Sequence, residues 1–182
     1  MTDDTNLWDA FLNGDKEALG RLFSGHYTLL FQYGVKVCRN PALVEDCIQE
    51  LFSDIWRNQT ATPQLSIKAY LVRALKYKII RQLGRDQNSP LSENSEDSMF
   101  ELSHEDFLID RQHQKEQENK VKQALTQLSA RQQEIIYLKY YQNLSYEEVS
   151  TIMNINYQVA RNLLYHSIKA LKRLMGQLSV FF

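Results

Sequence analysis

Near the C-terminus, Tyr157, Gln158, Arg161, Asn162, Tyr165, His166 and Lys169 share one helical face, and Lys172 extends it. Arginine pairs bidentately with guanine, Asn and Gln with adenine, and Lys and Tyr hold phosphates, so the set suits base readout in a DNA major groove. A second set, Arg73, Tyr77, Arg81 and Arg85, recurs every fourth residue in a stretch that also carries Lys68, Tyr70 and Lys76. Its cations match phosphates, and an interleaved tyrosine ring can stack on an unpaired base, worth ~1–3 kcal/mol per base. A third set has the opposite sign: Asp46, Glu50 and Asp54, again every fourth residue. Like charges at that spacing destabilise an isolated helix. Periodicity alone leaves two readings open, a solvated face and a dock for a basic partner. Bond-making chemistry is not indicated: the chain shows no constellation for covalent or metal catalysis and no Gly-rich phosphate loop. His26 lies on an apolar face with no second ligand type at i+3 or i+4, which reads as a core histidine.

These sets need helices to position them. Of the 182 residues, 43% are apolar, while only six are Gly and three Pro, too few turn formers for a β-rich chain. The fold class expected is all-α. Asn40 and Pro41 form an N-cap and first helical position, and Val44, Ile48, Leu51 and Ile55 give the helix they open an apolar stripe. Upstream of it, Thr5 or Asn6 can cap a short helix ending at Gly14, and Asp15 can cap a core helix reaching Gly34. Ser66 can cap the basic helix, whose apolar row is Ile67, Leu71, Leu75, Ile79 and Leu83. Residues 99–127 read as helical again, with Met99, Phe100, Leu102, Phe107, Leu108 and Ile109 at their start.

The C-terminal stretch carries the clearest local signals. Ser129 with Gln132, and Ser145 with Glu148, are capping boxes, the second stapled by Leu144 against Val149. A short helix, Tyr146 to Met153, is followed by Asn154, which tolerates the left-handed conformation, and Asn156 caps a longer helix with Ala160, Leu164, Ser167 and Leu171 facing inward. Short helix, tight turn and long helix make a helix-turn-helix.

Net charge, −1 overall, is segregated: +2 over residues 1–85, −7 over 86–120 and +4 over 121–182. The middle stretch also contains the polar run 87–98, so two small helical domains joined by an acidic linker are expected, with those boundaries. Cys38 and Cys47 show no CxxC or Cys/His spacing and read as reduced core cysteines. With no signal peptide and no run of 18 apolar residues, a soluble cytoplasmic protein is expected.

Gly14-Asp15 before a core helix, Glu45-Asp46 with Gln49-Glu50, Phe52 and Trp56, and the segment 144–174 resemble, in order and spacing, the motifs of bacterial extracytoplasmic-function (ECF) sigma factors of the sigma-70 family. The resemblance covers nearly the whole chain. It implies a region 2 domain at 1–85, an acidic linker at 86–120 and a region 4 helix-turn-helix domain at 121–182. Asp46, Gln49, Glu50 and Asp54 would meet core RNA polymerase. The loop from Asn58 and Gln59 onward, with Lys68, Tyr70, Arg73, Lys76, Tyr77, Arg81 and Arg85, would bind the melted downstream promoter element. Tyr157, Gln158, Arg161, Asn162, Tyr165, His166 and Lys169 would read the upstream element. It further implies a non-enzymatic protein without cofactor, monomeric when free and restrained by an anti-sigma factor that is often membrane-anchored.

This chain departs from the family pattern at Tyr70, where Trp is common, at Tyr77 and Arg81, where Asn and Asp often stand, at Asn154 for the turn Gly, and at Leu163 and His166 for Arg. Two rival readings stay open on residues alone: a stand-alone helix-turn-helix regulator that dimerises through its acidic helix, and an interaction protein that binds no DNA.

Overall fold

The computed structural model describes residues 2–59, 63, 66–86, 99–102 and 115–178. The chain divides into two compact units at residue 91, and all regular elements among the described residues are helical.

The first unit holds α1 (Thr2–Leu12), α2 (Lys16–Val37), α3 (Pro41–Arg57) and α4 (Ile67–Asp86). Thr5 and Asn6 lie inside α1 and do not cap it: the helix begins at Thr2, with Asp3 and Asp4 in the first turn, where their charge complements the helix dipole. Gly14, at φ +97°, makes the turn that follows, and the Asp15 carboxylate then accepts from the Glu17 and Ala18 amides to start α2. The Asn40 side chain accepts from the Leu43 amide, with Pro41 in the first helical turn, as the local residues require.

Helix α2 does not stop at Gly34 but runs on to Val37 and breaks at extended Cys38. Gly34 has another use. A Cβ there would lie 2.5 Å from Val44 Cγ1 and 3.3 Å from Ile79 Cδ1, so the missing side chain lets α2, α3 and α4 close on one another. Val44 is β-branched and stiff at χ1, so it cannot step aside. Gly34→Ala is therefore expected to lose ~1–2 kcal/mol, the cost of overpacking less the gain in helix propensity. Gly25→Ala, with nothing within 4 Å, should gain ~0.5–1 kcal/mol. Urea melts of the two variants should shift in opposite directions.

Around that approach lie Leu30, Ile48, Leu71, Leu75 and Ile79, each fully buried, and Phe11, whose ring meets Trp8 edge-on at 5.6 Å. Burying one such aliphatic side chain stabilises by ~1.5–3 kcal/mol, and the shared core fixes the angles at which the outer faces of α3 and α4 are presented.

The second unit holds α5 (Lys115–Thr126), α6 (Ala130–Ile136), α7 (Tyr146–Met153) and α8 (Tyr157–Leu178), with α5, α6 and α7 all packed on α8. Both capping boxes form, at Ser129/Gln132 and Ser145/Glu148. Asn154 sits at φ 51°, ψ 46°, the left-handed turn between α7 and α8, and Asn156 Oδ1 accepts from the Val159 amide to begin α8. Ala160, Leu164 and Ser167 face inward, and Leu171 is partly covered.

Two features differ from the sequence reading. Helix α6 continues as a wider π turn, Tyr137–Tyr141, closed by the Gln142 amide donating to the Tyr137 carbonyl at 3.1 Å. Residues 99–102 are not helical. Phe100 and Leu102 are buried while Glu101 between them is exposed, so alternate side chains enter the core. This strap is tied into the second unit by buried Gln133, whose Oε1 accepts from the Leu102 amide at 2.9 Å while Nε2 donates to the Leu128 carbonyl at 2.9 Å. Composition alone had placed these residues in the linker. Phe107, Leu108, Ile109 and the polar run 87–98 lie outside the described residues.

Candidate protein and nucleic-acid interfaces

On α3 the apolar stripe is wholly buried, which turns the acidic row outward. Asp46 and Glu50 are exposed and Asp54 is half-exposed. Asp46 and Glu50 border one open cleft of about 490 Å³, lined also by Asn40, Leu43 and Gln82; Gln49 opens instead into a cleft of about 540 Å³, lined also by Phe23, Phe52 and Trp56. Asp46 and Glu50 therefore share one cleft and Gln49 faces another.

The like-charge cost of the acidic row is offset from the neighbouring helix, by a residue outside the three sets. Lys78 of α4 reaches across to α3, with Nζ 2.7 Å from Asp54 Oδ2 and 3.2 Å from Glu50 Oε2. Burial alone would lower the Lys78 amine, but its bonds to Asp54 and Glu50 outweigh that and leave it raised. The hydrogen bond from Lys78 holds the Asp54 carboxyl below its ordinary value. A depressed acid contributes above its unfolded value, ~3.9, and a raised amine below its own, ~10.4, so the link is fully present between those limits. Replacing Lys78 with Met should lower the unfolding free energy at pH 7 by under about 1 kcal/mol, given the exposure of both acids. The gap to the wild type should then close as the pH falls below about 4; a gap that persists there would assign the loss to packing.

The outer face of α4 carries the basic row. The Arg73 guanidinium lies 5.5 Å from the centre of the Tyr77 ring, Tyr77 is 38% exposed and Arg81 is exposed one turn further on. The side chain of Arg85 lies outside the described part. Lys68 is half-buried, and Tyr70 is held edge-on by the Trp8 ring at 5.6 Å, where burial raises its phenol. Lys76 departs from the expected face: at 6% exposure it belongs to the interior side of α4. The i+4 row through Tyr77 and the i+4 row through Leu75 lie one residue apart from Lys76 on either side, and spacing could not say which would claim it. Asn58 caps the end of α3 and is exposed, as is Gln59.

On α8, Tyr157, Gln158, Arg161, Asn162, Tyr165, His166 and Lys169 are all exposed, Tyr165 at 63%. Buried Ala160, Leu164 and Ser167 against the core force this outcome, because the two faces of an amphipathic helix are set together. Gln158 Nε2 donates to Asn162 Oδ1 at 3.1 Å, the Arg161 guanidinium is 6.0 Å from the Tyr157 ring centre, and Tyr165 meets His166 edge-on at 5.3 Å. The face is a ready-ordered polar surface of the types that read base edges.

His26, Cys38 and Cys47 all lie buried in the first unit. His26 has its Nε2 3.2 Å from Asp4 Oδ2, and among the described residues no group of three or more His, Cys, Asp or Glu is placed to hold a metal ion. Cys38 and Cys47 are free and buried; burial first, and then neighbouring Cys38, pushes the Cys47 thiol up to about 11, which keeps it protonated and unreactive at neutral pH. Among the described residues, no helix is long and apolar enough to cross a membrane.

Comparison with known proteins gives two family matches in series: sigma-70 region 2 over residues 22–89 and sigma-70 region 4 over residues 118–171, together about two thirds of the chain. The chain is 22% identical over 169 residues to the ECF RNA polymerase sigma factor SigK of Mycolicibacterium vanbaalenii, covering 89% of this chain and 84% of that one. Its fold is similar to that of CnrH, solved with the cytosolic domain of CnrY, at a TM-score of 0.64 and 19% identity, over 96% of this chain and 98% of that one. It is also similar to the sigma factor RpoE of Bartonella quintana, solved with the anti-sigma factor NepR, at a TM-score of 0.55 and 19% identity, over 86% and 96%.

Proposed function

We propose, from the premise that this chain belongs to the extracytoplasmic-function group of the sigma-70 family and directs transcription initiation, a division of labour among its three charged faces. The acidic face of α3, with Asp46, Gln49, Glu50 and Asp54, docks on core RNA polymerase. The outer face of α4, with Arg73, Tyr77 and Arg81 supported by Lys68 and Tyr70, takes the melted downstream element together with Arg85 and the loop opening at Asn58 and Gln59. The exposed face of α8 reads the upstream element as duplex.

The observation that carries this reading is the succession of a region 2 match and a region 4 match on one chain, with opposite charge on adjacent helices of the first. An acidic surface repels phosphate, so α3 suits a protein partner, while α4 and α8 suit nucleic acid. The work is non-enzymatic: binding energy gathered on polymerase selects and opens a promoter. An anti-sigma factor restrains the free protein, which is monomeric and cytoplasmic in this reading; both structural neighbours were solved with a partner protein bound.

Run-off transcription with core polymerase tests it. Specific initiation at a promoter of the protein's own regulon is expected only when the protein is added. Binding to duplex DNA as a dimer, with no initiation, would overturn it in favour of a stand-alone regulator.

A further inference from the structure

The exposed face of α8 is not a row of independent side chains. Tyr157, the first residue of the helix, stands one turn before Arg161, whose guanidinium lies over its ring at 6.0 Å. The Tyr157 ring is in turn met edge-on by Tyr146, the first residue of α7, at 5.7 Å and 64°. Above Tyr146 sits the Lys139 ammonium, 4.8 Å from the ring centre, and Lys139 is itself fixed by donating to the Leu144 carbonyl at 2.7 Å. The series runs from the π turn through α7 to the reading helix, and its lower members are anchored in the fold: Tyr146 and Lys139 are half-buried and Leu144 is fully buried.

We infer that Tyr157, held by Tyr146, is a positioning residue that presents Arg161 to one base of the upstream element and so sets the discrimination made there. The inference rests on α8 being the duplex reader. An arginine on an open helix face samples many rotamers, and each must be given up when the guanidinium locks bidentately onto a guanine edge. A ring under the guanidinium narrows that search before DNA arrives. Rings attract cations through their electron-rich faces, and Tyr146 holds the Tyr157 ring in an edge-to-face arrangement typical of stable aromatic pairs. Neighbouring Gln158 and Asn162 are restrained similarly, by their mutual hydrogen bond at 3.1 Å. Tyr157 could alternatively contact DNA through its own hydroxyl, and the two roles separate cleanly, since positioning needs the ring alone.

The test uses full-length protein with core polymerase and a set of promoters differing at single upstream-element positions. Arg161→Ala is expected to lose about 10- to 100-fold in discrimination at one position. Tyr157→Ala should lose about three- to tenfold at that same position, with the slope of binding against salt unchanged. Tyr157→Phe should restore the wild-type value, and Tyr157→Ala with Arg161→Ala should be no worse than Arg161→Ala alone. The inference is overturned if Tyr157→Phe behaves like Tyr157→Ala, if the loss is uniform across the promoter set, or if the two losses add. It also falls alone if Arg161→Ala abolishes discrimination while Tyr157→Ala leaves it intact. If Arg161→Ala itself changes nothing, the assignment of α8 as the base reader fails, and the inference with it.

Discussion

Reversing Asp46 and Glu50 to Lys is expected to abolish co-purification of the protein with core RNA polymerase. Both side chains are exposed on α3, so the change meets the partner before it meets the core. Placing two cations where a basic partner surface arrives replaces attraction by like-charge repulsion, and breaking a close interfacial charge pair costs about 2–5 kcal/mol or more. At that magnitude a micromolar complex becomes undetectable in a pull-down. Asp46 is the cleaner of the two probes. Glu50→Lys alone would face Lys78, 3.2 Å from the native carboxylate, and disturb the link between α3 and α4. Asp46→Lys alone leaves Lys78 with both of its carboxylates and isolates the effect on docking. The stability of Asp46→Lys should change by no more than about 0.5 kcal/mol, as for surface substitutions in general. Unchanged recovery of polymerase would sink the docking face, and a collapsed melt would show that the row serves the fold.

The largest effect on stability is expected from Phe100→Ala. Phe100 is 4% exposed and packs on the Tyr137 ring at 5.5 Å, beside fully buried Leu102. Truncating a buried phenylalanine costs about 3–5 kcal/mol, a large share of what a unit of this size has in reserve. The loss should appear in the second unit only, read as vanished amide protection in α6 and α8 with α2 and α3 unaffected. A C-terminal fragment beginning at residue 115, with α5 whole, should be similarly weakened against one beginning at 99, because it leaves Gln133 without the Leu102 amide and exposes the pocket that Phe100 fills. If Phe100→Ala costs under about 1 kcal/mol, the strap is not part of that core.

Several local features were legible because the residues that make them are close in the chain. A cap needs one side chain and an amide two or three residues on, so Asp15, Asn40, Ser129 and Ser145 each declared a helix start. Asn154 declared a left-handed turn for the same reason. The exposed face of α8 followed from the spacing of Ala160, Leu164 and Ser167 alone. Where local signals competed, the reading failed: Gly34 looked like a helix end, and Thr5 and Asn6 looked like caps. Nothing local distinguishes a glycine that ends a helix from one that a neighbouring helix must approach.

By itself, then, the sequence determined the helical class, the helix-turn-helix and the signs of its three faces, all of which depend on separations of a few residues and on charge. Only the tertiary structure decided that Lys78 binds the acidic row to α4, that Lys76 turns inward, that residues 99–102 complete the second unit, and that Tyr146 stands beside Tyr157. Lys78 and Asp54 are 24 residues apart, and Leu102 and Gln133 are 31. Such partners are chosen by how whole helices pack once their apolar faces are buried, and no periodicity within one helix carries that information.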